Sequence, residues 1–136
     1  MKASHAMVYY TIFIAVVMTV TAGLVFKRTT PNVSPLWLTP QEAMKMINQT
    51  SDVVIIDLSR YFYDNGHLPG AVNYQKCAIP GIISNFDKSK TYIVYCHGAG
   101  APLSIASKLK EAGFENTYAL KGNYGAWVNA GYAVEN

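Results

Sequence analysis

From Leu38 onward the chain alternates short, unbroken apolar runs with longer stretches in which apolar residues return every three or four positions. Val53 to Ile56, Tyr92 to Tyr95 and Thr117 to Leu120 are rich in β-branched and aromatic side chains. They are too short for helices and too apolar for a sheet with one wet face, so they read as strands buried on both sides. Ala71 to Asn73 reads as a shorter strand. Thr39-Pro-Gln-Glu42 is a capping box that starts a helix reaching about Asn48, with Ala43, Met44 and Ile47 on its inner face. Ile79 to Phe86 is a short helix or an irregular segment. Leu103, Ala106, Leu109 and Ala112 recur at helical spacing behind Pro102, which suits a first helical position, and Gly113 supplies a left-handed stop. Gly122 and Asn123 open a last short helix that contains Trp127 and is closed by Gly131. Strands alternating with helices predict an α/β domain over residues 38–136, a parallel sheet flanked by helices.

The pattern changes before that domain. Ala6 to Phe26 contains no charged residue, and its length suits one helix crossing a bilayer. Residues 1–28 therefore read as an N-terminal transmembrane anchor, or an uncleaved signal, and residues 29–37, with Pro31 and Pro35, as a linker. A cleaved secretory signal is the competing reading, with Lys2 as its charged start and Val20-Thr21-Ala22 as a small-residue cleavage site. The expected location is a membrane, crossed once. Lys27 and Arg28 favour a cytoplasmic domain, whereas Lys2 and the terminal amine favour an exported one.

The net charge of +3 belongs to the N-terminal region. Residues 29–136 carry eight Lys or Arg against eight Asp or Glu, so the domain is formally neutral. That balance, with no clustered basic face, argues against a nucleic-acid partner. About a hundred residues suffice for one core and not for two. Two cysteines, Cys77 and Cys96, form no metal-ligand spacing with the histidines. No metal and no cofactor is implied.

The candidate chemistry gathers at Cys96. The Tyr92–Tyr95 run ends there, and His97, Gly98, Ala99, Gly100 and Ala101 follow, small or glycine apart from the histidine, before Pro102 opens a helix. Such a loop can turn its amides inward, and the positive end of the following helix dipole favours an anion at its centre. A cysteine in that setting is favoured as thiolate, the nucleophilic form. The alternative is an inert core thiol, since free cysteine is among the most buried residue types. Asp57 also ends a strand, where open α/β sheets gather their binding groups, and Arg60 follows it closely. His67, in Gly66-His-Leu-Pro-Gly70, is an acid–base candidate or, more simply, a structural tie.

These pieces, taken in order, resemble a single rhodanese-like domain. The matching segments are Ile56-Asp57, Gly66-His-Leu-Pro-Gly-Ala-Val-Asn73, Tyr95-Cys96 with its small loop, Ala112-Gly-Phe114, and Leu120-Lys-Gly-Asn-Tyr-Gly-Ala-Trp127. The resemblance implies sulfurtransfer: Cys96 takes a sulfane sulfur as a persulfide and passes it to a thiophilic acceptor. The amides of His97 to Ala101 would cradle the outer sulfur or the departing anion. The implied partners are a small sulfur-containing donor and a thiol or protein acceptor, with the membrane engaged through residues 6–26.

Two departures from the family pattern bear on the donor. Active members often carry an arginine as the sixth loop residue, where it helps bind an anion such as thiosulfate; that position here is Ala101. The Asp-x-Arg often seen at the earlier strand end is Asp57-Leu-Ser59, with Arg60 one place late. His97 is the only side chain of the loop able to carry a positive charge, when protonated. Related cysteine phosphatases need an arginine one residue further on, where this chain has Pro102, which argues against phosphatase activity. Two other readings stand beside the sulfurtransferase: a catalytically weak rhodanese-fold module for interaction or sulfur and redox sensing, and a Cys77–Cys96 thiol pair.

Overall fold

A computed structural model of the chain describes residues 36–75, 79–98 and 102–136. The expected anchor at residues 6–26 lies outside them, as do Cys77 and Ala99 to Ala101. Among the described residues no helix is long and apolar enough to cross a membrane.

Five parallel strands form one sheet: β1 (Trp37–Leu38), β2 (Val53–Asp57), β3 (Val72–Asn73), β4 (Thr91–Tyr95) and β5 (Thr117–Leu120). Their order across the sheet is β1-β5-β4-β2-β3. Four helices connect or follow them: α1 (Pro40–Gln49), α2 (Ile79–Asn85), α3 (Pro102–Glu111) and α4 (Asn123–Asn129). β1 was not legible as a strand. Trp37 closes the region read as linker and Leu38 opens the region read as domain, yet Trp37 pairs with Ala119 and Leu38 with Leu120 at the sheet edge. A two-residue edge strand has no periodicity to display.

Strand alternation splits each apolar run between two cores. Ile56, Tyr92, Val94 and Ala119 face one way and pack with Ile82 of α2 and with Ile105, Ala106 and Leu109 of α3. Ile55, Ile93, Tyr95 and Leu120 face the other way, against Ala43 of α1 and Trp127 of α4. Each fully buried Ile, Leu or Val contributes about 1.5–3 kcal/mol of transfer free energy. The runs looked uniformly apolar because both faces of the sheet are covered.

The punctuation between elements works as the residue types dictate. The Thr39 hydroxyl accepts the Glu42 amide at 3.3 Å, and Glu42 Oε2 accepts the Thr39 amide at 2.8 Å, a reciprocal cap on α1. Those bonds, the backbone one first, hold the Glu42 carboxyl below its usual range. After α3, Gly113 at φ +94° lets its amide reach Lys110 O (2.9 Å) while the Phe114 amide reaches Leu109 O (3.0 Å). That turn drops Phe114 into the core, edge-on to Tyr92 at 5.4 Å.

Candidate active site

Because β2 and β4 are neighbours in register, Asp57 lies directly opposite Tyr95, and both chains leave the sheet at the same edge. β2 is continued outward by β3 on one side while β4 leads toward β5 on the other, so ligands are expected at this edge. Cys96 is the first residue past β4, half-buried and packed against the core beneath α2 and α3. The chain then runs through the loop to Pro102, the first residue of the ten-residue helix α3.

A buried hydrogen-bond chain organises this edge. Asp57 is fully buried; its Oδ1 accepts the Ser59 amide at 2.7 Å and its Oδ2 lies 3.1 Å from His97 Nε2. The Tyr95 hydroxyl, also buried, accepts the Leu68 amide at 3.1 Å and hydrogen-bonds to Asp57. Burial, reinforced by the Asp57 carboxylate, pushes that phenol far above the usual tyrosine range. With Ser59 and Tyr95 donating to Asp57, the proton on the His97–Asp57 contact belongs to Nε2. The imidazole is then stacked on Tyr124 of α4, ring centres 4.0 Å apart.

The first turn of α4 grips the cysteine segment itself. The Cys96 amide donates to Asn123 Oδ1 at 3.2 Å, and Asn123 Nδ2 donates to Gly98 O at 3.1 Å. The Tyr124 amide donates to Cys96 O at 3.1 Å. A trans peptide sets its C=O and N–H on opposite sides, so the His97 amide is turned away from α4.

The sequence-derived candidates therefore fall out as follows. Asp57 and His97 are brought together beside Cys96. The His97 side chain, only 11% exposed, is spent on Asp57 and Tyr124 and is not a free cation for the loop. Ser59, at the place where related chains often carry arginine, is buried, and Asn73 Nδ2 bonds its carbonyl at 2.9 Å. Arg60 is exposed, its guanidinium 5.1 Å from the ring centre of Tyr61, which is itself 71% exposed. His67 is a tie: its Nδ1 contacts Tyr63 O at 3.1 Å, its ring stacks on Tyr63, and its backbone pairs with Glu135. Among the described residues no group of three or more His, Cys, Asp or Glu side chains could hold a metal ion.

Sequence reasoning missed Tyr95, Tyr124 and Asn123 as site residues. Tyr95 read as one more apolar strand position and Tyr124 as a helix residue, and nothing local distinguishes them. Asn123 did leave a signal: an Asn directly after Gly at a helix start is suited to a left-handed backbone and to bonding main-chain groups. Its φ is +58°.

A parallel α/β sheet with a cysteine past its central strand, a small loop and a following helix defines a class of domain. This chain belongs to the rhodanese family: residues 39–130 match the Rhodanese-like domain. It is similar to the thiosulfate sulfurtransferase GlpE of Glaesserella parasuis, 27% identical over 99 residues covering 72% of this chain and 91% of that one. It is also similar to the tRNA sulfurtransferase of Pyrobaculum aerophilum, 31% identical over 85 residues and 62% of this chain. There the chain spans 17% of the relative's length. The solution structure of the rhodanese-like domain of the Alr3790 protein from Anabaena superposes with a TM-score of 0.66 at 25% identity, covering 74% of this chain and 79% of that one.

Proposed function

We propose that the protein is a sulfurtransferase that carries sulfane sulfur as a persulfide on Cys96. The observation that carries this reading is the place of Cys96: half-buried at the end of the central strand, its backbone pinned by α4, with the small loop leading to the start of α3. In the first step the Cys96 thiolate attacks the outer sulfur of a donor R–S–S⁻. A new S–S bond forms to Cys96, the donor S–S bond breaks, and its electron pair leaves with RS⁻. In the second step an acceptor thiolate attacks the outer sulfur of the Cys96 persulfide and Cys96 leaves as thiolate. The chemistry balances without an external oxidant or reductant. The positive end of the dipole of the ten-residue helix α3 favours the terminal sulfur anion.

Persulfides and polysulfides fit as donors better than thiosulfate. Thiosulfate leaves as the sulfite dianion, which calls for a cation in the loop. The sixth loop position is Ala101, the His97 ring is committed to Asp57, and Arg60 rests on Tyr61. A single-pass membrane tether through residues 6–26 belongs to the same proposal, supported by the uncharged run alone.

The test is intact-mass measurement of the full-length protein after exposure to a persulfide, a polysulfide and thiosulfate in turn. Wild type gains one sulfur from the first two and little from thiosulfate, and Cys96→Ser gains none. No gain on wild type with any donor, or an equal gain on the serine variant, overturns the proposal. Alkaline-carbonate extraction of membranes decides the tether, a protein released to the supernatant refuting it.

A further inference from the structure

We infer that Asn123, on α4, is a positioning residue for sulfur transfer: its carboxamide holds the first half of the cysteine loop in the shape that presents amides to the Cys96 sulfur. The inference rests on the sulfurtransferase reading above. An asparagine at the N-cap turns its oxygen to amides of its own helix; Asn123, the first residue after the cap, reaches the cysteine segment instead. Its Oδ1 takes the Cys96 amide and its Nδ2 takes the Gly98 carbonyl, so one planar group spans both ends of the Cys96–Gly98 segment. The N-cap of α4, Gly122, has no side chain to replace it.

The backbone shows that this arrangement is specific. Asn123 sits at φ +58°, a conformation that glycine adopts more readily, directly after Gly122 at φ +76°. That pair of left-handed residues swings the carboxamide out of α4 and onto the loop. The adjacent Tyr124 amide bonds Cys96 O from the same turn, so α4 engages the N–H and the C=O of Cys96 together. The consequence is a division of labour. The Cys96 amide and the carbonyls of Cys96 and Gly98 are occupied on the α4 side, which leaves the His97 amide on the other side and keeps two carbonyl dipoles from competing for the sulfur's place. A negative sulfur beside carbonyl oxygens would be repelled, so the loop's turn decides whether the site favours the thiolate.

The experiment compares wild type with Asn123→Gly and Asn123→Asp, each as the full chain. Glycine keeps the left-handed backbone and removes both side-chain bonds. Aspartate keeps the acceptor for the Cys96 amide, loses the donor to Gly98 O, and adds a negative charge beside the loop. Two readouts are taken: the rate of Cys96 persulfide formation from a polysulfide, and the pH profile of Cys96 alkylation by iodoacetamide. His97 and Asp57 face the same segment and are common to all three proteins, so differences between profiles belong to position 123. Asn123→Gly slows sulfur loading by about tenfold or more, as small misplacements in a site do, and shifts the alkylation midpoint to higher pH. Asn123→Asp shifts it further in the same direction, because a like charge disfavours thiolate. Thermal melting separates these effects from loss of fold. A folded glycine variant with an unchanged alkylation profile and loading within about twofold of wild type overturns the inference. If wild type loads no sulfur, the functional reading fails, while the alkylation profiles still decide whether Asn123 governs the thiol.

Discussion

Replacing Asp57 separates two things the buried chain at the sheet edge does: satisfying donors and holding His97. In Asp57→Ala the Ser59 amide, the Tyr95 hydroxyl and the His97 N–H all lose their acceptor. Ser59 and Tyr95 are essentially buried, 3% and 0% exposed, so water does not replace Asp57 there. Each orphaned buried donor costs about 1–3 kcal/mol. The Leu68 amide bonds the Tyr95 oxygen and leaves its O–H without an acceptor, while the His97 ring, 11% exposed, keeps partial access to water; the total is about 3–5 kcal/mol, a large share of the stability of a domain this size. Asp57→Asn behaves differently. Its oxygen accepts the Ser59 amide, its NH₂ donates to His97 Nε2, and the imidazole moves its proton to Nδ1, so the cost falls to about 1 kcal/mol. Urea unfolding of the two variants measures the difference. At a slope of about 2 kcal/mol per molar, the alanine variant loses about 2 M in midpoint and the asparagine variant about 0.5 M. Equal losses, or an alanine variant within about 1 kcal/mol of wild type, would refute the account of Asp57 as the shared acceptor.

Two further outcomes follow from the same geometry. At Gly66, with φ +125°, an added Cβ would stand 2.5 Å from Tyr124 Oη, the residue stacked on His97; Gly66→Ala therefore costs about 1–3 kcal/mol and lowers the melting temperature by about 5–15 °C, and an unchanged melting curve contradicts this. Burial raises the Tyr95 and Tyr92 phenols above their unfolded value of about 10, so their contribution is intact below that pH and is lost as pH climbs above it; the urea midpoint should hold at pH 8 and fall by pH 11, and a flat profile would contradict the burial.

Much of the fold could be read from local pattern because local physics dictates it. Val53–Asp57, Thr91–Tyr95 and Thr117–Leu120 are strands close to where their apolar runs place them. Pro40, Pro102 and Gly113 mark helix ends through φ preferences and a missing N–H, properties of single residues. Two-residue β1 left no such trace; it exists because β5 offers it an edge. Which of two adjacent apolar residues faces which core was likewise hidden, since both faces are equally dry.

What the sequence determined by itself is the order of elements, the parallel α/β class and the place of Cys96 between strand and helix, all set by the period of apolar side chains and by the backbone limits of proline and glycine. Only the tertiary structure decided what surrounds that cysteine. It set Asp57 beside Tyr95 through strand register, drew the His97 ring out of the loop and onto Asp57, and brought Asn123, 27 residues along the chain, onto the Cys96 amide. These are partnerships between polar groups that burial deprives of water, and each had several candidate partners until the sheet fixed which was near.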